Sequence, residues 1–302
     1  MSEALETGVL KGVSRSFYLT LRLLPAPMRR AASLGYLLAR SSDTIADTSP
    51  VPVMERLSLL EAYGAAVEGA GESPAWPPAL LEAAEPKERI LLERGPEVLA
   101  GLERLPAGER DLVREVVRII ISGQTLDLER FATASPERPV ALEDDAALAD
   151  YTWRVAGCVG AFWTKLGFLT LGERFSDAPE NELLKRGIAY GKGLQLVNIL
   201  RDLPRDLSTG RCYLPVTNTS DRDELLASHA RWLAIALEWV EDGKIYAETL
   251  KMKRLRAATM LPALLAEETL RAMRGASWDT LQRRVKVPRS RVYTLLAKAL
   301  LQ

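Results

Sequence analysis

Apolar residues recur at three- and four-residue spacing along almost the whole chain, and no stretch sustains period-two alternation rich in β-branched residues. An apolar stripe at that spacing is buried efficiently only on a helix, so the pattern predicts an all-α fold. Helices are expected over 3–14, 27–47, 53–70, 88–102, 106–132, 143–170, 178–207, 221–247 and 250–274, with shorter pieces near 277–284 and 288–300. Proline and glycine punctuate 69–78, 135–139 and 210–215, while Pro25 and Pro27 open the second helix. Long helices without heptads imply a single-domain bundle over residues 1–302, with room for a central cavity between facing helices.

Hydrophobic residues make up 47% of the chain, and 40 basic against 40 acidic side chains leave no net charge, which argues against a nucleic-acid partner. Met1-Ser-Glu-Ala-Leu-Glu has no basic leader pattern, and no segment offers about 18 uninterrupted apolar residues. A cytoplasmic protein is expected. Cys158 and Cys212 lack Cys or His neighbours, so they suggest neither a zinc site nor a disulfide. The single histidine, His229, excludes chemistry needing two imidazoles and reads as structural or surface.

Two segments carry the same polar pattern. In Tyr36-Leu-Leu-Ala-Arg-Ser-Ser-Asp-Thr-Ile-Ala-Asp47, Tyr36, Arg40, Asp43 and Asp47 fall within roughly 60° of one helix face. In Gln195-Leu-Val-Asn-Ile-Leu-Arg-Asp-Leu-Pro-Arg-Asp206, Gln195, Asn198, Asp202 and Asp206 fall within about 80°. Pro204 removes one backbone donor there and is expected to kink or loosen the helix. Acidic pairs four apart arise by chance about five times in such a chain, and Glu238–Asp242 reads as one of these, on a solvated face. The two Asp motifs differ in lying within mainly apolar stretches, where unpaired carboxylates are costly. Oxygen ligands with a carboxamide and no imidazole suit Mg²⁺, with a diphosphate as third party and Arg40 and Arg201 able to fork onto its oxygens. On spacing alone, plain ion pairs, Arg40–Asp43 and Arg201 with Asp202 or Asp206, explain the residues equally well.

These segments resemble the squalene/phytoene synthase family. The resemblance is carried by Ser14-Arg-Ser-Phe17, the Tyr36–Asp47 segment, Tyr151-Thr-Trp-Arg-Val-Ala-Gly-Cys-Val-Gly160, Gly193–Asp206 and Gly210-Arg-Cys-Tyr-Leu-Pro215. It implies an all-α isoprenoid synthase fold that couples two prenyl diphosphates head to head. It further implies that Asp43, Asp47, Asp202 and Asp206 ligate Mg²⁺ with support from Asn198. Ser14, Ser16, Phe17, Tyr36, Arg40, Gln195 and Arg201 would line the diphosphate and substrate pocket. Tyr151 matches the tyrosine that the family uses in forming the cyclopropyl intermediate, as base or as a ring stabilising a cation. Gly157 and Gly160 are expected to permit a kink or the close passage of substrate. Arg211 and Tyr213 follow the second motif on a mobile lid or a structural loop.

Three positions depart from the family's pattern: Thr152, Gln124 and Ala258-Thr-Met-Leu-Pro262. Neither Thr152 nor Gln124 is expected to touch the chemistry, whereas the third weakens the case for a reductive step. The wording of the first two motifs is closer to squalene-forming members, and that of Gly210–Pro215 to phytoene-forming ones. The implied activity is Mg²⁺-dependent conversion of two farnesyl diphosphates to presqualene diphosphate, followed by NADPH-dependent reduction to squalene. The alternatives are dehydrosqualene, phytoene or presqualene diphosphate as product, and, in another class, a non-catalytic isoprenoid-binding protein. No Rossmann-type glycine loop is present, so NADPH would use a shallow surface site. Charged residues alternate with Val285, Val287, Val292, Leu295 and Leu296 across 284–298, which fits peripheral membrane contact or a last helix packed on the bundle.

Overall fold

The structure, a computed structural model, describes residues 5–14, 17–288, 290–292, 294, 295 and 299. It is all-α, and its chain divides into two compact units: Met1–Glu129 with Lys165–Gly172, and Arg130–Thr164 with Glu173–Gln302.

In the first unit a π-helical turn, Leu5–Leu10, leads into α1 (Lys11–Ser14), α2 (Phe17–Leu23) and α3 (Ala26–Asp47). Then come α4 (Val53–Glu68), α5 (Pro78–Ala83), α6 (Pro86–Glu93), α7 (Gly95–Glu103) and α8 (Ala107–Arg130). Helix α3 packs against α2, α4, α6 and α7. Its Met28, Leu34, Leu37, Leu38 and Ile45 are fully buried. Proline in its first turn costs nothing, because the first helical N–H groups have no intrahelical acceptor. At its other end Arg56 Nη1 donates to the Ala46 carbonyl at 2.5 Å, which satisfies a helix-terminal acceptor from α4. The helix expected over 88–102 is interrupted at Arg94, where Gly95-Pro96 begins a new helix. Helices α2 and α5 were not anticipated: each is under two and a half turns and starts beside a strong local breaker or motif.

The second unit begins with β1 (Val140–Ala141) and α9 (Asp145–Thr152). A π segment, Trp153–Gly157, separates α9 from α10 (Cys158–Leu171), of which the part up to Thr164 belongs to this unit. The long α11 (Glu180–Ser208) follows, then β2 (Arg211–Cys212), α12 (Arg222–Glu248), α13 (Lys253–Met273) and α14 (Trp278–Gln282). Helix α11 is the axis of this unit, in contact with α12, α13, α14 and the π segment. A Cβ on Gly160 would lie 1.8 Å from the Gly187 carbonyl oxygen, so the two helices meet backbone to backbone. Gly160 therefore serves this close crossing, and a π segment precedes it. Helix α11 runs unbroken through Pro204. Asp242, read as solvated, accepts a hydrogen bond from Arg186 of α11 at 2.6 Å.

By length and composition Asp145–Arg174 is the one stretch among the described residues long and apolar enough to cross a membrane. Of the C-terminal segment, Leu295 and Ala299 are buried with Ala257, Met260, Leu261 and Leu264, which favours a last segment packed on α13. His229 is buried and hydrogen-bonded to the Leu200 backbone, and burial lowers its pKa, so it is a neutral structural residue.

Candidate active site

The first acidic motif occupies the last three turns of α3. Tyr36 donates from its hydroxyl to the Val13 carbonyl at 3.2 Å. The neighbouring Ser14 is buried, and its hydroxyl donates to the Leu10 carbonyl at 2.5 Å. Ser16 lies outside the described residues. Phe17 opens α2, and its side chain lies outside them as well.

Arg40 forms the pair with Asp43 that spacing suggests, but its closer partner is Glu88. Its Nη2 donates to Glu88 Oε1 of α6, which also receives a 3.4 Å hydrogen bond from Thr44 at its other oxygen, while Asp43 stands 3.8 Å from Nη1. Burial works against the guanidinium charge, but Glu88 and then Asp43 outweigh it and hold Arg40 protonated. Asp43 Oδ1 accepts from Gln124 Nε2 of α8 at 2.6 Å. Gln124, expected to stand apart from the chemistry, thus touches the motif's first carboxylate. That contact joins residues 81 apart in the chain, and no local pattern reports it. Thr152, by contrast, is fully buried with its hydroxyl on the Leu148 carbonyl at 2.9 Å.

Asp43 keeps 44% of its side chain accessible. Desolvation, reinforced by the charge of Asp47, raises its pKa to about 7 against the opposing effects of Arg40 and Gln124. Asp47 is exposed and borders a cavity of about 320 Å³ with Arg40, Thr44, Glu85 and Glu88. Glu88 is the functional candidate here that sequence reasoning missed.

The second motif lies on the C-terminal half of α11. Asn198 is exposed and donates to Gln195 Oε1 at 3.4 Å, so these two carboxamides adjoin on one face. Asp206 is half-buried. Asp202 is gripped from two sides. Arg201 donates to its oxygens at 3.0 and 2.6 Å, and Arg284 at 2.9 and 3.4 Å. Burial alone would raise this carboxyl, but the arginines more than offset that and leave it below its ordinary value. Two motifs of one pattern thus differ in charge balance: Asp43 has one guanidinium at 3.8 Å, shared with Glu88, and Asp202 has two in direct hydrogen bonds. Arg284 was placed by sequence in the basic C-terminal stretch, with no sign of its partner.

Tyr151 lies one residue before the end of α9 and is buried. Its ring stacks on Tyr213 with centroids 4.9 Å apart and planes 20° from parallel. Phe131 meets Tyr213 edge-on at 5.3 Å, and the Arg211 guanidinium lies 5.7 Å over Phe131. The pairing and burial of the segment holding Arg211 and Tyr213 favour a structural loop over a mobile lid. Strand β2 pairs with β1, Val140 N donates to Gly210 O at 2.9 Å, and Cys212 is fully buried. Gly210 has φ +89°, and a Cβ there would strike the Ser135 backbone nitrogen at 2.6 Å, so the turn requires glycine.

Among the described residues, no group of three or more His, Cys, Asp or Glu side chains forms a metal cage. Mg²⁺ does not require one, since it keeps several waters and takes one or two carboxylates plus substrate phosphates. The Asp43–Asp47 pair, under-compensated and partly accessible, fits that demand. At Asp202 both oxygens already face guanidinium groups, so a cation there must share or displace them.

The squalene/phytoene synthase family model matches residues 10–291. The presqualene diphosphate synthase of Zymomonas mobilis is 30% identical over 67% of this chain and 56% of its own length. The squalene synthase of Homo sapiens is 24% identical over 96% of this chain and 68% of its own length. The complex structure of TcSQS with the ligand E5700 superposes with a TM-score of 0.80 at 23% identity, over 98% of this chain and 85% of that one. That likeness is one of fold. The aligned regions span between 33% and 58% of the length of the first curated relatives this chain matches.

Proposed function

Because this chain belongs to the squalene/phytoene synthase family, we propose that it condenses two farnesyl diphosphates head to head to presqualene diphosphate with Mg²⁺, and reduces that product to squalene with NADPH. The reading is carried by Asp43 and Asp47, two carboxylates one turn apart at the end of α3, with Arg40 and the Gln124 amide beside the first. Such a pair is poorly placed for stability and well placed for a cation.

Asp43, Asp47, Asp202 and Asp206 are the residues assigned to hold Mg²⁺, with Asn198 in support. Bound Mg²⁺ would neutralise the departing diphosphate and so ease cleavage of the allylic C–O bond. Arg40, Arg201 and Arg284 are fixed cations beside these acids and would orient phosphate oxygens, alongside Tyr36, Gln195, Ser14, Ser16 and Phe17 at the substrate. Arg211 and Tyr213 would line the second-motif side. The Tyr151 hydroxyl is assigned to proton removal as the cyclopropane closes, and the stacked Tyr151 and Tyr213 rings to cation stabilisation. Apolar walls around them would keep water from the cation.

NADPH would use a shallow surface site, since the chain carries no Rossmann-type glycine loop. The similarity to a presqualene diphosphate synthase favours a second reading, in which the reaction stops at presqualene diphosphate. We place the enzyme in the cytoplasm with peripheral membrane contact, because its product would be insoluble in water. Incubation with farnesyl diphosphate and Mg²⁺, with and without NADPH, followed by mass spectrometry of products, tests the proposal. Squalene only with NADPH is expected. A product unchanged by NADPH removes the reductive step, and wild-type turnover by Asp43→Asn with Asp202→Asn overturns the metal assignment.

A further inference from the structure

Gln124 reaches Asp43 from α8, and its own geometry is half complete. Its side chain is 8% exposed, and Nε2 donates to Asp43 Oδ1 at 2.6 Å. Its carbonyl oxygen, Oε1, is buried and has no hydrogen-bond partner. With Asp43 ionised, as a cation ligand must be, turning the amide over would set oxygen against oxygen. A buried carbonyl beside a carboxylate calls for a donor, and no described residue supplies one. A water in the coordination sphere of a divalent cation is a strong donor, and its hydrogens point away from the metal toward such acceptors.

We propose that Gln124 is a positioning residue for the first acidic motif: its N–H group holds one oxygen of Asp43, and its carbonyl accepts a hydrogen bond from a water bound to the Mg²⁺ that Asp43 and Asp47 hold. The proposal rests on the metal assignment above and deepens it. It assigns a metal-related role to a residue that departs from the family's pattern. Partners that orient metal ligands in this way typically alter metal affinity about 10–100-fold when removed.

The test compares wild type, Gln124→Met, Gln124→Leu and Asp43→Asn as full chains. Thermal shift and calorimetry are recorded during Mg²⁺ titration with inorganic diphosphate present. Gln124→Met preserves side-chain length and volume; Gln124→Leu supplies a second readout if it does not fold. The expected result is at least a roughly 10-fold rise in the Mg²⁺ concentration for half-maximal shift in the Gln124 variants. Steady-state turnover should show the same rise in Mg²⁺ half-saturation, with most of the lost rate restored at high Mg²⁺ and little change in KM for the prenyl diphosphate. A merely structural glutamine would lower the metal-free melting temperature and leave the Mg²⁺ midpoint in place, and that outcome overturns the proposal. If Asp43→Asn weakens Mg²⁺ binding while the Gln124 variants match wild type, the role of Gln124 alone is refuted. If wild type itself fails to bind Mg²⁺ with diphosphate, the metal assignment falls, and this proposal with it.

Discussion

Arg284 donates to Asp202 Oδ1 at 2.9 Å from a backbone φ of +55°, the only non-glycine residue in the left-handed region among those described. A long, charged side chain rarely sits there, and the conformation persists where surrounding contacts over-determine it. With Arg201 on the other side, the ion pair holds the first carboxylate of the second motif in one orientation.

Removing Arg284 should therefore weaken the protein at neutral pH and not in acid. The Asp202 carboxyl lies below its ordinary value of 3.8, so its contribution is present above about pH 4 and is lost as pH falls through the depressed native value. Arg284→Ala is expected to cost about 1 kcal/mol at pH 7, with little difference from wild type near pH 2. Urea unfolding at the two pH values measures this.

Asp43 has the opposite sign. Its native pKa is raised from 3.8 to about 7, so the stability associated with its neutral form is full below pH 4 and is lost as pH rises through 7. In the metal-free protein, the melting temperature should decline across that window, and Asp43→Asn should flatten the decline. Mg²⁺ with diphosphate should raise the wild-type melting temperature above pH 7, where the carboxylate is ionised.

The Tyr151–Tyr213 stack separates a chemical from a structural role. Tyr151→Phe retains the ring and should change the melting temperature little, while turnover falls about 10²–10⁴-fold if the hydroxyl moves a proton. Tyr213→Ala empties space beside both Tyr151 and Phe131 and should destabilise by about 3 kcal/mol. Product assays and denaturant melts on both variants distinguish the two effects.

Gly160→Ala tests the helix crossing. Its Cβ would overlap the Gly187 carbonyl, which is backbone and cannot rotate aside, so separation of α10 from α11 is the only relief. A loss of about 3 kcal/mol or more is expected by thermal or chemical denaturation, beyond the ordinary cost of overpacking.

The helices and their polar faces were legible in the sequence because helical geometry is local. Tyr36, Arg40, Asp43 and Asp47 share a face at 3.6 residues per turn whatever α3 packs against, and the same holds for Gln195, Asn198, Asp202 and Asp206 on α11. The π segment after Tyr151 was not legible: one extra residue in a turn leaves the apolar spacing on either side nearly unchanged. Nor was the identity of the partners. Glu88 lies 48 residues from Arg40, Gln124 lies 81 from Asp43, and Arg284 lies 82 from Asp202. Such pairs are decided by which helices pack together and at what rotation, which no local period encodes. The sequence by itself determined where the carboxylates are and that they lie on common faces. Only the tertiary structure decided that Asp43 meets an amide and too little positive charge, while Asp202 is clasped by two guanidinium groups, because electrostatic environment is a sum over neighbours in space.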